Sequence, residues 1–141
     1  MLLERIAAEN LDRHVYDILF NDAPLAFYIP GGIHSEVAPA GTTLDHLLMI
    51  GYLPGNDRNL MGAPSKRAWT RFGALIKSVT QGESFGPNFL IMKRVDEILG
   101  GTHTRTVLGI YKSGEVRYTE TDGDLRWNHY GYIYRAIALD G

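Results

Sequence analysis

Cysteine is absent from this 141-residue chain. That excludes a disulfide framework, a thiolate zinc centre and a cysteine nucleophile, and it fits a reducing compartment. Long apolar runs are also missing. The longest, Leu47 to Leu53, falls well short of the about 20 residues needed to span a bilayer. Glu4 and Glu9 interrupt the apolar residues at the N-terminus, so that stretch does not read as an export signal. A cytoplasmic location is the expectation. Sixteen acidic residues against fourteen Lys and Arg leave a net charge of −2, which argues against an extended nucleic acid as partner.

Motifs that would mark common chemistries are lacking too. There is no glycine-rich phosphate loop ending in Lys-Ser or Lys-Thr, no dinucleotide fingerprint and no Gly-x-Ser-x-Gly elbow. The five histidines stand at positions 14, 34, 46, 103 and 129, and no two are spaced as metal ligands on one helix. His34, His46 and Asp57 could only form a metal site if the fold gathered them. Ordinary core and surface histidines are the simpler reading, so no cofactor is expected. Two-histidine phosphoesterases carry paired His-x-Ser/Thr motifs. Here Arg105 follows His103 and Glu36 follows His34 at that spacing, so both pairs fail.

What is present describes one α+β domain covering residues 1–141. Hydrophobic residues make up 45% of the chain, enough for a core at this length without a staple. Leu2, Leu3, Ile6, Leu11, Val15, Ile18 and Leu19 recur at helical spacing, predicting a helix over 2–20 that Asn21, Asp22 and Pro24 stop. Leu25 to Ile29 reads as a short strand. Thr42 or Thr43 can cap a short helix through Leu44, Leu47 and Leu48, reaching as far as Tyr52 at most. Residues 54–64 read as a loop.

Ser65 opens the strongest helical pattern, with Ala68, Trp69, Phe72, Leu75, Ile76 and Val79 on one face. Residues 87–99 are ambiguous: Pro87 at the start and Gly100-Gly101 at the end favour helix, while the run Phe89-Leu90-Ile91-Met92 could equally begin a strand. From Thr104 the chain reads as an antiparallel meander turning at Ser113-Gly114 and Asp122-Gly123. The second turn puts Tyr118 opposite Trp127. Val107, Tyr111, Val116, Tyr118, Trp127 and Ile133 then share the face expected to pack on helices. Arg117, Thr119, Arg126, Asn128 and Tyr130 share the wetter one. The fold class expected is α+β, with N-terminal helices on one face of a mainly antiparallel sheet.

One block stands out by charge. Arg58, Lys66, Arg67, Arg71 and Lys77 occur with no acid between 58 and 77. If Ser65 caps a helix, Lys66 and Arg67 sit in its first turn, where the helix dipole disfavours cations. A helix N-terminus with added cations is a phosphate or carboxylate site. The competing reading is a solvated basic face. Tyr130, Tyr132 and Tyr134, with Arg117, Arg126 and Lys112 on the same face, could stack bases or a ligand ring. Equally, another element could cover them, or tyrosine-rich surface could form a homo-oligomer contact.

The leading expectation is a non-catalytic protein binding an anionic, nucleotide-like or phosphorylated small molecule through Arg58, Lys66, Arg67, Arg71, Arg117, Arg126, Tyr130 and Tyr132. The first alternative is a small inhibitor or adaptor of phage type, docking on an acidic protein partner. The second is a small histidine–carboxylate enzyme built on His103 or His34.

Overall fold

The computed structural model describes residues 8–35, 46–53, 57–60, 63–100 and 107–139, with backbone alone described for 8–12, 57–60, 63–72, 107–109, 122 and 137–139. Helix α1 spans Ala8–Phe20 and α2 spans Ala23–Tyr28. Strands β1 (Ile33–Ser35), β2 (His46–Tyr52), β3 (Asp57–Leu60) and β4 (Ala63–Gln81) follow. Helix α3 covers Gly86–Gly100, and the chain closes with β5 (Val107–Asp122) and β6 (Leu125–Leu139). The main sheet runs β1-β2-β4-β6-β5, with β3 beside the first half of β4. Among the described residues, only the β1–β2 pair is parallel.

Local chemistry explains the helix boundaries. Asp22 caps α2 by accepting the Leu25 N–H at 2.9 Å, and Pro24 sits in the first turn, where its missing N–H costs nothing. The same carboxylate takes a two-point contact from Arg94 of α3, at 2.9 and 2.6 Å. Asp22 therefore fixes α2 against α3 as well as starting it. Hydrogen bonding to Arg94 holds its carboxyl below the usual carboxylate range.

The three helices among the described residues pack on one face of the sheet. Val15 and Leu19 of α1, Leu25 of α2, and Ile91, Met92, Val95 and Leu99 of α3 form one core with the sheet. The sheet contributes Leu48 and Ile50, Ala74 and Ile76, and Tyr134 and Ala136. These are alternate residues of β2, β4 and β6, as a single covered face requires. The N-terminal helices on a mainly antiparallel sheet are thus as expected.

Several local expectations are corrected. Residues 66–80 are strand, because β4 lies between β2 and β6 over its second half and carries apolar residues on both faces. Its pattern therefore loses the two-residue alternation of an edge strand. Leu25–Ile29 is not a strand: Asp22 and Pro24 stop α1 and also start α2. Residues 47–52 belong to β2 (His46–Tyr52), not to a helix. Within 54–64, residues 57–60 form β3. The expected helix does cover 87–99. Residues 2–7, the Thr42 or Thr43 cap and residues 54–56, 61 and 62 of the expected loop lie outside the described residues.

The C-terminal meander is a single long hairpin. Ser113-Gly114 is not a turn: β5 runs through it, with a register shift between Lys112 and Gly114, as an extra bulged residue produces. The second turn exists but is centred one residue later, since Asp122 pairs with Leu125 and Gly123 takes φ +61°. Tyr118 accordingly faces His129, and Trp127 faces Glu120. Tyr118 and Trp127 still share a face, because the shift is an even number of residues. That face, however, is the one away from the helices.

Candidate interaction surface

On the helix side, the β5–β6 end of the sheet meets α3 through a row of aromatic rings. Phe85 and Phe89 lie 6.3 Å apart, and Phe89 meets Tyr130 edge-on at 4.9 Å. Tyr130, Tyr132 and Tyr134 continue the row at 5.5 and 6.1 Å, within the range where ring pairs attract. Two cations cap it from β5. The Arg117 guanidinium lies 4.7 Å from the Phe85 ring, and Lys112 Nζ lies 4.2 Å from that of Tyr132.

Asp96 of α3 accepts from Tyr134 at 2.5 Å and from Lys112 at 3.0 Å. Burial, then the hydrogen bond to Asp96, pushes the Tyr134 phenol above its ordinary range. Burial and the contact with Tyr132 do the same for Tyr130. The hydrogen bond to Asp96 raises the Lys112 ammonium. The tyrosines stay neutral and the lysine stays charged at neutral pH, so these three groups clamp α3 rather than shuttle protons.

Asn88 completes the clamp. It is fully buried, accepts from Thr80 Oγ1 at 2.6 Å, and donates to the Ser78 and Asn128 carbonyls at 3.2 and 3.0 Å. Sequence reasoning missed it, although a signal existed. Asn88, Ile91, Met92, Val95 and Leu99 share the buried stripe of α3, and a lone amide in such a stripe needs partners.

The opposite face bears a second polar cluster. His129 Nε2 lies 2.7 Å from Glu120 Oε1. Tyr118 stacks on the imidazole at 4.3 Å, and Lys77 Nζ donates to the Tyr118 hydroxyl at 2.6 Å. His129 Nδ1 is buried and has no hydrogen-bond partner among the described residues. Burial, followed by the Lys77 charge, lowers the imidazole below its ordinary value, and Glu120 opposes both. The ring is therefore neutral at pH 7.

The residues singled out from the sequence fall into separate places. Arg58 lies on β3 opposite Trp69, while Lys66, Arg67 and Arg71 lie along the first half of β4. With no helix there, the helix-terminus rationale for an anion site does not apply. Arg71 stands seven residues before Ser78, which faces Tyr130, a span of about 23 Å along a strand. Arg117, Tyr130 and Tyr132 do come together, but α3 covers the tyrosines, as the covered-face reading held. Arg126 instead donates to Asn128 at 3.2 Å. Asn128 is fully buried, not wet, because Asn88, Gly82 and Ser84 satisfy its groups. His34 contacts the Gly31 carbonyl at 2.8 Å, and among the described residues no three His, Asp or Glu side chains could hold a metal ion. His103 lies outside the described residues.

Exposed apolar side chains gather around α2 and the first turn of α3. Phe27 is 83% exposed and Leu90 55%. With Tyr28, Pro30, His46, Pro87 and Ile91 they line a cleft of about 370 Å³. Apolar groups massed at one place on a surface mark contact with another macromolecule more often than scattered ones do. Among the described residues, no helix is long and apolar enough to cross a membrane.

No family model matches the chain, and no curated protein does. A solved chain of a "Virion of native gene transfer agent (GTA) particle" shares the fold, with a TM-score of 0.62 at 18% identity over 90% of this chain and 92% of that one.

Proposed function

We propose that this protein is a non-catalytic structural subunit of a phage-type particle, working through contacts with other protein subunits. The observation that carries the reading is the match of nearly the whole fold to a chain of a gene transfer agent virion, end to end on both sides. This is the adaptor alternative of phage type, narrowed from inhibitor to particle component. The surface chemistry supports it. Exposed Phe27, Leu90 and Phe89 suit burial against a protein better than capture of a small polar ligand. The titratable groups of the aromatic row are committed to holding α3 on the sheet, and the imidazole of His129 is shielded beneath Tyr118.

The test is direct. Particles are purified from cells that make this protein and labelled with an antibody raised against it, then viewed by electron microscopy. Label at a fixed place on the particles is expected. Unlabelled particles, with the protein remaining in the soluble fraction, would overturn the reading.

A further inference from the structure

The sheet ends at β5, which among the described residues pairs only with β6. Asp122 pairs with Leu125 across the two-residue turn Gly123-Asp124, and the closing pair of such a turn exchanges both hydrogen bonds. By alternation, Gly114, Val116, Tyr118 and Glu120 direct their N–H and C=O groups inward to β6. Glu115, Arg117 and Thr119 direct theirs to the free edge. The Arg126 carbonyl supports this phase. Arg126 faces Thr121, and its carbonyl turns away from β5 to accept the Gly82 N–H at 3.1 Å.

Free edges are usually blunted by proline, shortness or a bulge. β5 is 16 residues long and contains no proline, and its two register shifts, between Val107 and Ile110 and between Lys112 and Gly114, both lie before the regular stretch 114–121. Tyr118 on that stretch is 41% exposed.

We propose that this edge pairs antiparallel with β5 of a second copy of the chain, about a two-fold axis at Val116. The charges choose both partner and register. Centred on Val116, the pairing sets Glu115 opposite Arg117 of the second copy, and Arg117 opposite its Glu115. A register centred on Arg117 would oppose two arginines, and one centred on Glu115 two glutamates, each unfavourable. The Val116 register also lays Tyr118 across Gly114 of the second copy, an aromatic covering a strand glycine. Arg117 is held ready by its stack on Phe85. The axis stands perpendicular to the sheet, so both sets of helices lie on one side and the two open faces join. This inference rests on the subunit reading, since it names one of the contacts such a subunit makes.

The chain has no cysteine, which allows a clean test. At the axis the two Val116 residues form a non-hydrogen-bonded pair with Cα atoms about 4.5 Å apart, within disulfide reach. Val116→Cys is expected to give a disulfide-linked dimer on a non-reducing gel. Glu120→Cys is expected to stay monomeric on that gel, its two copies lying more than about 20 Å apart. In sedimentation, Glu115→Arg is expected to weaken the dimer about tenfold, which is about 1.4 kcal/mol. Adding Arg117→Glu to it should restore association. A monomeric wild-type chain, or equal cross-linking at both positions, overturns the edge. If larger assemblies form without Val116→Cys cross-linking, the edge is wrong while self-assembly stands. Cross-linking together with unlabelled particles keeps the edge and sinks the particle reading.

Discussion

Ile76 and Lys77 are neighbours on β4, yet they live in different solvents. Ile76 is fully buried under the helices, among Leu48, Val95 and Tyr134. Lys77 points to the other face and reaches the exposed hydroxyl of Tyr118. The covered face spends its polar groups on holding α3: Asn88, Asp96 and Tyr134 each have a partner across the seam. On the other face His129 Nδ1 has no hydrogen-bond partner among the described residues and lies beneath a tyrosine ring. One sheet thus has a side whose polar groups hold the helices and a side on which Lys77 and Tyr118 meet at an exposed contact, and the side matters more than residue type.

The largest break in that comparison should come from Ile76→Ala, with an expected loss of about 2–5 kcal/mol in denaturant unfolding. A loss below that of Lys77→Ala would show that the helices do not supply the core. Next is Asn88→Ala, which strands the Thr80 hydroxyl and the Asn128 carbonyl in a buried seam. The expected cost is about 1–3 kcal/mol. If Asn88→Ala matched wild type in thermal unfolding, the seam would have to relax by admitting water.

The open face should reveal itself through pH. The folded-state pKa of His129 lies below its unfolded value, so between the two the unfolded chain binds more protons. Stability should therefore decline as pH falls below about 6.5. Urea midpoints measured from pH 7 to pH 5 would show the decline, and His129→Phe should flatten it. The Asp22–Arg94 pair works in a separate window. The Asp22 pKa is lowered on folding, so its contribution is present above the unfolded carboxylate value of 3.8 and is lost below it. A decline confined to that lower range would exclude His129 as the sensor. The smallest effect belongs to Lys77→Ala, expected below about 1 kcal/mol because its contact is exposed.

The same division explains what could be read from the residues. Pro87 and Gly100-Gly101 marked the ends of α3, while Phe89-Leu90-Ile91-Met92 read equally as a strand start until the buried stripe of Asn88, Ile91, Met92, Val95 and Leu99 was seen. Asp122-Gly123 announced a hairpin to within one residue. β4 misled, since Ala74, Leu75, Ile76 and Val79 face both sides of a central strand and mimic a helical stripe. Ser113-Gly114 has turn chemistry but sits in a bulge, a choice made by pairing with β6. Arg117, Tyr130 and Tyr132 do meet, yet which side α3 would take could not follow from one strand's pattern. That choice depends on Asn88 and Asp96 finding Asn128 and Tyr134, partners 40 and 38 residues away.

The position of β4 has a consequence for how the chain comes to be folded. Its partners arrive from opposite directions in sequence: Gly51 of β2 meets Leu75, while Leu139 of β6 returns to Trp69. The helix α3 is fastened by Asn88 to both β4 and β6. During synthesis, then, the helices and β2–β4 emerge long before the strand that completes the sheet. Closing so long a loop carries an entropic cost before any contact repays it, and such distant pairing is slow. Until the last fifteen-residue strand has left the ribosome, the middle of the sheet remains an open edge, and a chain cut short before β6 should be prey for proteases and chaperones.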